Sequence, residues 1–201
     1  MKTIKNHLRV IGGILILLTL TVGCRKKLFP ATDDYSEYGW TVITDGDYTK
    51  ALSQFQEALT LDPQNVDAYN GLGWIFAKTA EPDSAINYFT LGLGLALPGS
   101  QVQLELYTGR AYSYHAKSQY LSSIDDCNEV LATDSSFIFS RDSSVTANTV
   151  ATLLAASYFG VGDYTNALLA VQVVDASFLV DVNTESGVAQ LAAKIEALEG
   201  T

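Results

Sequence analysis

The 201-residue sequence is poor in the side chains that build metal, redox and covalent-catalytic centres: it has 2 cysteines, 2 histidines and 1 methionine. Two cysteines cannot make the disulfide framework of a small secreted domain. Cations are scarce too, with 12 Lys+Arg against 22 Asp+Glu and a net charge of −10. Lys2, Lys5 and Arg9 fall within residues 1–23, which hold no acid, so nine basic residues against 22 acids put the remainder at −13. A body of that sign repels phosphate backbones, which argues against nucleic-acid binding. No HExxH, paired CxxC, phosphate-cradling glycine loop or GxSxG elbow is present, and Gly12-Gly13 and Gly92-x-Gly94 are too sparse to serve as one. Apolar residues make up 48% of the chain, enough for a packed core and too many for wholesale disorder.

The longest apolar run, Val10 to Val22, is thirteen residues, short of the roughly 20 that a spanning helix needs. It follows the three cations and ends in Thr21-Val22-Gly23-Cys24. A charged start, a short apolar stretch and a small-residue end are the marks of an export signal removed on maturation. The closing residues resemble the lipobox of bacterial lipoproteins, although Thr21 stands where that family most often has Leu. The resemblance implies a diacylglyceryl group on the Cys24 thiol, cleavage before it and acylation of the new amino terminus. The competing reading is an ordinary thiol behind a conventional signal peptide. Two or three acyl chains hold a protein stably where one does not, and Arg25, Lys26 and Lys27 can lie against anionic head groups. The organisation expected is a signal peptide over 1–23, a lipidated cysteine and linker over 24–34, and a repeat domain over 35–201. The expected location is the cell envelope, at the outer membrane facing the periplasm in a Gram-negative organism, where lipoproteins lacking Asp after the cysteine usually go.

Internal repetition dominates the body. Tyr35-x-x-Tyr38-Gly39-x-x-Val42 precedes Ala51, Phe55, Ala58 and Pro63; thirty-four residues on, Tyr69-x-x-Leu72-Gly73-x-x-Phe76 precedes Ala85, Phe89 and Gly92. A third unit runs through Tyr107, Ala111, Tyr114, Ser123, Cys127 and Val130, and a looser fourth through Ala151, Leu154, Ala155, Tyr158, Ala167, Val171 and Val174. The extra residues fall near Pro98-Gly99-Ser100-Gln101 and between Ser135 and Ala147, where loops tolerate insertion. This pattern resembles the tetratricopeptide repeat, a 34-residue helical hairpin. Gly39, Gly73, Ala111 and Ala155 leave room for a neighbouring helix. Gly46-Asp47, Ser118-Gln119, Gly162-Asp163 and Pro82-Asp83 suit the turns between paired helices. One hairpin cannot cover its own apolar stripe, so the fold class expected is all-α: a right-handed solenoid of about four such hairpins with a C-terminal capping helix after Thr184. The segment Ser136-Phe137-Ile138-Phe139-Ser140 is strand-like but too short to found a sheet, and reads as a loop packed on its neighbours.

Little of this points to chemistry. Cys127 takes the slot held by Phe55 and Phe89 and reads as a small core residue. Asp125 and Asp126 diverge by roughly 100° on a helix, which suggests a solvated face in place of an acid/base pair. The expectation is a protein without catalysis, metal or cofactor. The resemblance instead implies a concave surface, lined by the first helix of each unit, that accepts a polypeptide partner. Carried over position by position, it nominates Ser36, Asn70 and Thr108, and the recurring slot of Trp40, Trp74 and Tyr112 with His115 one turn on. The basic clamp that some relatives use for a terminal carboxylate is missing, with Trp40, Gly71, Glu105 and Gly109 among the corresponding residues. Asp33, Asp67 and Glu105 near the helix starts favour an apolar or basic ligand. The alternative function is a small-ligand or glycan-binding lipoprotein serving transport or cell-wall metabolism, which would need an enclosed aromatic pocket.

Overall fold

The computed structural model describes residues 31–200; the segment read as a signal peptide, Cys24 and the part of the expected linker up to Pro30 lie outside them. Nine helices follow one another among the described residues: α1 (Thr32–Thr44), α2 (Tyr48–Leu61), α3 (Val66–Lys78), α4 (Pro82–Leu93), α5 (Gln101–Ala116), α6 (Tyr120–Thr133), α7 (Ala147–Gly160), α8 (Tyr164–Val174) and α9 (Glu185–Glu199). The fold is an all-α helical repeat, as its periodicity predicts. α1 starts inside the segment read as linker, where the Asp34 carboxylate accepts the Ala31 N–H at 2.8 Å.

Short polar side chains start the helices where the sequence places them. Asp47, Asn65, Ser100, Thr146, Asp163 and Thr184 each accept a backbone N–H from the first turn that follows. Pro82 opens α4, where its missing N–H is not needed. Inside the first and fourth hairpins the chain turns through left-handed Gly46 (φ 79°) and Gly162 (φ 81°). The second and third reach the same geometry with Ala80 (φ 60°) and Ser118 (φ 58°), which carry a Cβ there at a cost. Ala80→Gly should therefore raise stability by about 0.5–1 kcal/mol, a gain of roughly 2 °C in the melting midpoint for a domain of this size. A lower midpoint in a thermal scan would contradict it.

The hairpins α1/α2, α3/α4, α5/α6 and α7/α8 stack in file. Each second helix packs on the next first helix, each first helix touches the next first helix, and α9 closes the row against α7 and α8. Leu191 and Ile195 of α9 are buried while Glu196 and Glu199 face water, as a solubilising cap requires. Between units the packing repeats one device. The fully buried Phe55 ring of α2 is wedged between Gly39 of α1 and Gly71 of α3, where an added Cβ would sit 2.7 and 2.2 Å from the ring. Phe89 of α4 is wedged in the same way between Gly73 and Gly109, at 2.4 and 2.2 Å. In the third unit the equivalent slot holds the smaller, fully buried Cys127, and Ala111 stands where the first two units have Gly39 and Gly73. No helix of the described residues is long and apolar enough to cross a membrane.

Candidate functional site

The longest interruption of the repeat, residues 134–146 between α6 and α7, builds the site. Asp134 and Asp142 each fold the chain back on itself, accepting the N–H of Ser136 at 2.8 Å and of Ser144 at 3.1 Å. The Phe139 N–H donates to the Val145 carbonyl at 2.8 Å and the Ala147 N–H to that of Phe137 at 2.7 Å, with one antiparallel bridge between Ile138 and Thr146. The result is a short tongue. Phe137 and Phe139 are buried, so the segment packs as a loop on its neighbours, but those neighbours belong to distant units.

Phe139 stacks on Trp74, with ring centroids 4.9 Å apart and planes at 18°, and meets Trp40 edge-on at 5.8 Å. Arg141 lies over the Trp40 ring, forks onto both carboxylate oxygens of Glu37 at 2.8 and 2.6 Å, and reaches Asp67 at 3.4 Å. Nearer the base, Gln101 donates to the Ile138 carbonyl at 2.7 Å and the Ser140 N–H donates to Glu105 at 3.1 Å. All these receiving residues stand on α1, α3 and α5. The tongue thus covers the face formed by the first helices with an aromatic and a guanidinium. The charges follow suit. The Arg141 hydrogen bond holds the Glu37 carboxyl below its ordinary range, while burial pushes Asp67 up against the opposing pull of the Trp40 N–H and Arg141.

The nominated residues fall into three groups. Trp40 and Trp74, 5% and 7% exposed, pack edge-on against Phe55 and Phe89 as well as against the tongue, so they are core side chains before they are contacts. The Trp40 indole N–H donates to both Asp67 oxygens at 3.0 and 3.1 Å, whereas the buried Trp74 Nε1 has no acceptor among the described residues. Both line a cavity of about 530 Å³ with Ile43, Tyr48, Lys78 and Arg141. Ser36, Asn70 and Thr108 are sealed within the first-helix layer. The Ser36 hydroxyl donates to Asn65 at 3.5 Å, Asn70 donates to Glu105 at 2.9 Å, and Thr108 donates to the Leu104 carbonyl at 2.8 Å. Tyr112 and His115, half-buried, line a separate cavity of about 270 Å³ with Thr152, Leu153 and Glu199.

The remaining polar groups have structural partners. His115 Nδ1 lies 2.9 Å from Ser157 Oγ, which donates to Ser123 Oγ at 3.0 Å. Both serines are fully buried, beyond the reach of a substrate, and burial lowers the imidazole pKa. Cys127 is also fully buried, and desolvation pushes its thiol up to about 12, which suits a core residue and not a nucleophile. Asp126 departs from its sequence reading. Asp125 faces solvent, but Asp126 is 4% exposed and receives Arg110 in a two-pronged pair at 2.8 and 2.8 Å. Among the described residues no three His, Cys, Asp or Glu side chains gather as a metal site.

Glu37, Phe139 and Arg141 were not nominated from the sequence. The signal available was the ten-residue excess in the spacing of the fourth unit, which marks an insertion without saying where it goes.

Four stacked hairpins with a closing helix, the first two joints each filled by a phenyl ring wedged between two glycines, form an all-α solenoid of tetratricopeptide-like hairpins. A family model described as TPR repeat matches residues 45–79, the stretch from the turn of the first hairpin through α3. Among solved structures the chain is similar to the MamA protein, at 17% identity over 84% of each chain with a TM-score of 0.61. It also resembles a thermophilic TPR protein of Thermus thermophilus, at 15% identity over 84% of this chain and 88% of that one, TM-score 0.58. A tetratricopeptide repeat protein from Parabacteroides merdae matches at 15% identity over 84% of this chain and 60% of that one, TM-score 0.58. Among curated proteins no match is found.

Proposed function

We propose that this protein is a non-catalytic scaffold, anchored by lipid on Cys24 in the bacterial cell envelope, that holds a polypeptide partner on the first-helix face of its solenoid. Tetratricopeptide solenoids as a class bind other proteins, and one observation carries that reading to this chain. The face formed by Trp40, Trp74, Glu37 and Asp67 already holds a piece of polypeptide, the tongue, through stacking, charge and backbone hydrogen bonds. A preformed face of this kind lowers the ordering cost of capture, and a tether restricts the encounter to the membrane surface. The anchor is supported by the charged, short apolar leader and by Gly23-Cys24.

Two measurements test the two halves. Mass spectrometry of the full chain expressed with its leader should find Cys24 at the amino terminus carrying a diacylglyceryl thioether; a free thiol there would refute the anchor. A defined protein should co-purify in fixed ratio with the detergent-solubilised chain, and charge reversal at exposed Glu37, Glu37→Lys, should cut its recovery at least tenfold without loss of helicity. Undiminished recovery would place the partner elsewhere. The double replacement of Trp40 and Trp74 is a poor test, because both rings hold the core.

A further inference from the structure

The tongue is more than an insertion that happens to cover the groove. Its two tip side chains are those the acidic, aromatic face favours: an aromatic ring between two indoles, and two residues later a guanidinium against two carboxylates. We propose that this face is a site for a partner segment presenting an aromatic residue and, two positions on, an arginine, and that Phe139 and Arg141 occupy it in cis as a stand-in for that segment. The inference rests on the scaffold reading and names its ligand chemistry.

Three observations carry it. Charge complementarity is local: Glu37, Asp67 and Glu105 converge on the tongue, where Arg141 pairs with the first two and the Ser140 N–H with the third; Lys78 also lines the adjoining cavity. The occupancy by the tongue is also incomplete. Trp74 is 7% exposed and stacked against Phe139, yet its buried Nε1 has no acceptor among the described residues. A buried donor without an acceptor costs free energy that a carbonyl-bearing ligand would recover. Finally, a cavity of about 530 Å³ lies between the tongue residues Phe139, Arg141 and Ser143 and the groove residues Trp40 and Trp74, space that a bulkier segment than the tongue would fill. The part of the tongue that must yield is its tip. The Arg141 side chain is 27% exposed and that of Glu37 63%, so this ion pair exchanges readily; Phe139 is buried and leaves only as an incoming ring takes its place between the indoles, while the base, anchored by buried Phe137, stays.

The test uses the full chain in detergent and a fluorescein-labelled peptide with the sequence of residues 136–146. Two tongue variants are compared with the native chain: Phe139→Ala/Arg141→Ala, which vacates both subsites, and Arg141→Ala, which frees only the acidic one and leaves the buried ring in place. The expected result is peptide binding at least tenfold tighter to the double variant than to the native chain, with an intermediate gain for Arg141→Ala. The same peptide carrying both alanines should bind at least tenfold more weakly, and raised salt should weaken the native peptide. Equal affinity of both chains for the peptide, or equal affinity of both peptides, overturns the proposal. If the double variant loses its helical signal, Arg141→Ala decides alone, and no gain in it overturns the proposal. If the peptide fails while the co-purifying partner is still lost with Glu37→Lys, the scaffold reading stands and this ligand chemistry falls. Tight binding of a second copy through its own tongue, seen as a dimer of the double variant with native chain, would replace the partner by self-exchange and equally overturn it.

Discussion

Truncation of Phe89 to alanine should destabilise the protein by about 3–5 kcal/mol, the range for emptying a buried aromatic site that cannot collapse. The site cannot collapse because its walls are already at their minimum. Gly73 and Gly109 face the ring from two helices, and α3 and α5 meet each other as well as α4. With the ring gone, the edge-on contact of Trp74 with Phe89 at 5.9 Å would be lost as well, and the void would lie between two backbones held by their remaining contacts, including the Trp74 ring stacked on Phe139 at 4.9 Å. Chemical denaturation should show the loss with an unchanged slope. The reverse experiment, Gly109→Ala, should also destabilise, since the new Cβ would meet the ring at 2.2 Å. A loss below 1 kcal/mol for Phe89→Ala would show that neighbouring units slide together, and the wedge would then be a filler and not a joint.

The second large effect is expected at Arg110. Arg110→Ala should cost on the order of 3 kcal/mol, because Asp126 would remain buried as an unpaired carboxylate. Arg110 also spans Thr90 at 3.1 Å and lies over the rings of Tyr107 and Tyr114, so its loss loosens the contact between the second and third hairpins. Two comparisons separate charge from packing. Arg110→Met with Asp126→Leu removes both charges at similar volume and should recover most of the loss. The pH dependence should also change in a defined direction. Burial already raises the Asp126 pKa, and losing the guanidinium raises it further. A carboxyl whose folded pKa exceeds its unfolded one favours the fold below the unfolded pKa and loses that contribution as pH rises through the folded value. The deficit of Arg110→Ala relative to the native chain should therefore be largest at neutral pH and shrink toward pH 4. A deficit independent of pH would show that Asp126 is not left charged.

The regular part of this fold was legible because it repeats. Glycine at 39 and 73, alanine at 51 and 85 and phenylalanine at 55 and 89 keep the same spacing, and each answers a steric demand that recurs at every joint. Cys127 was legible for the same reason, by the slot it inherits. What periodicity could not show was where the aperiodic piece goes. Residues 134–146 carry no register, and their destination depends on ring stacking across 65 positions of sequence and ion pairs across 74 and 104. The tryptophan slot illustrates the limit. Its recurrence marked a first-helix surface, but recurrence does not say whether an indole faces water or a returning segment of the same chain. Asp126 fails differently: beside exposed Asp125 it reads as solvated, and only the third dimension brings Arg110 to it.

A row of units that touch only their neighbours ordinarily melts from its ends, each hairpin fraying with little regard for the far one. The tongue breaks that independence, since Phe139 on the approach to the fourth hairpin is buried against Trp40 of the first and Trp74 of the second. The row behaves as a buckled belt: opening either end must also release the clasp, so terminal fraying becomes a concern of the whole molecule. Amide exchange in α1 should then slow toward the pace of α7, and undoing the buckle with Phe139→Ala should let the two drift apart.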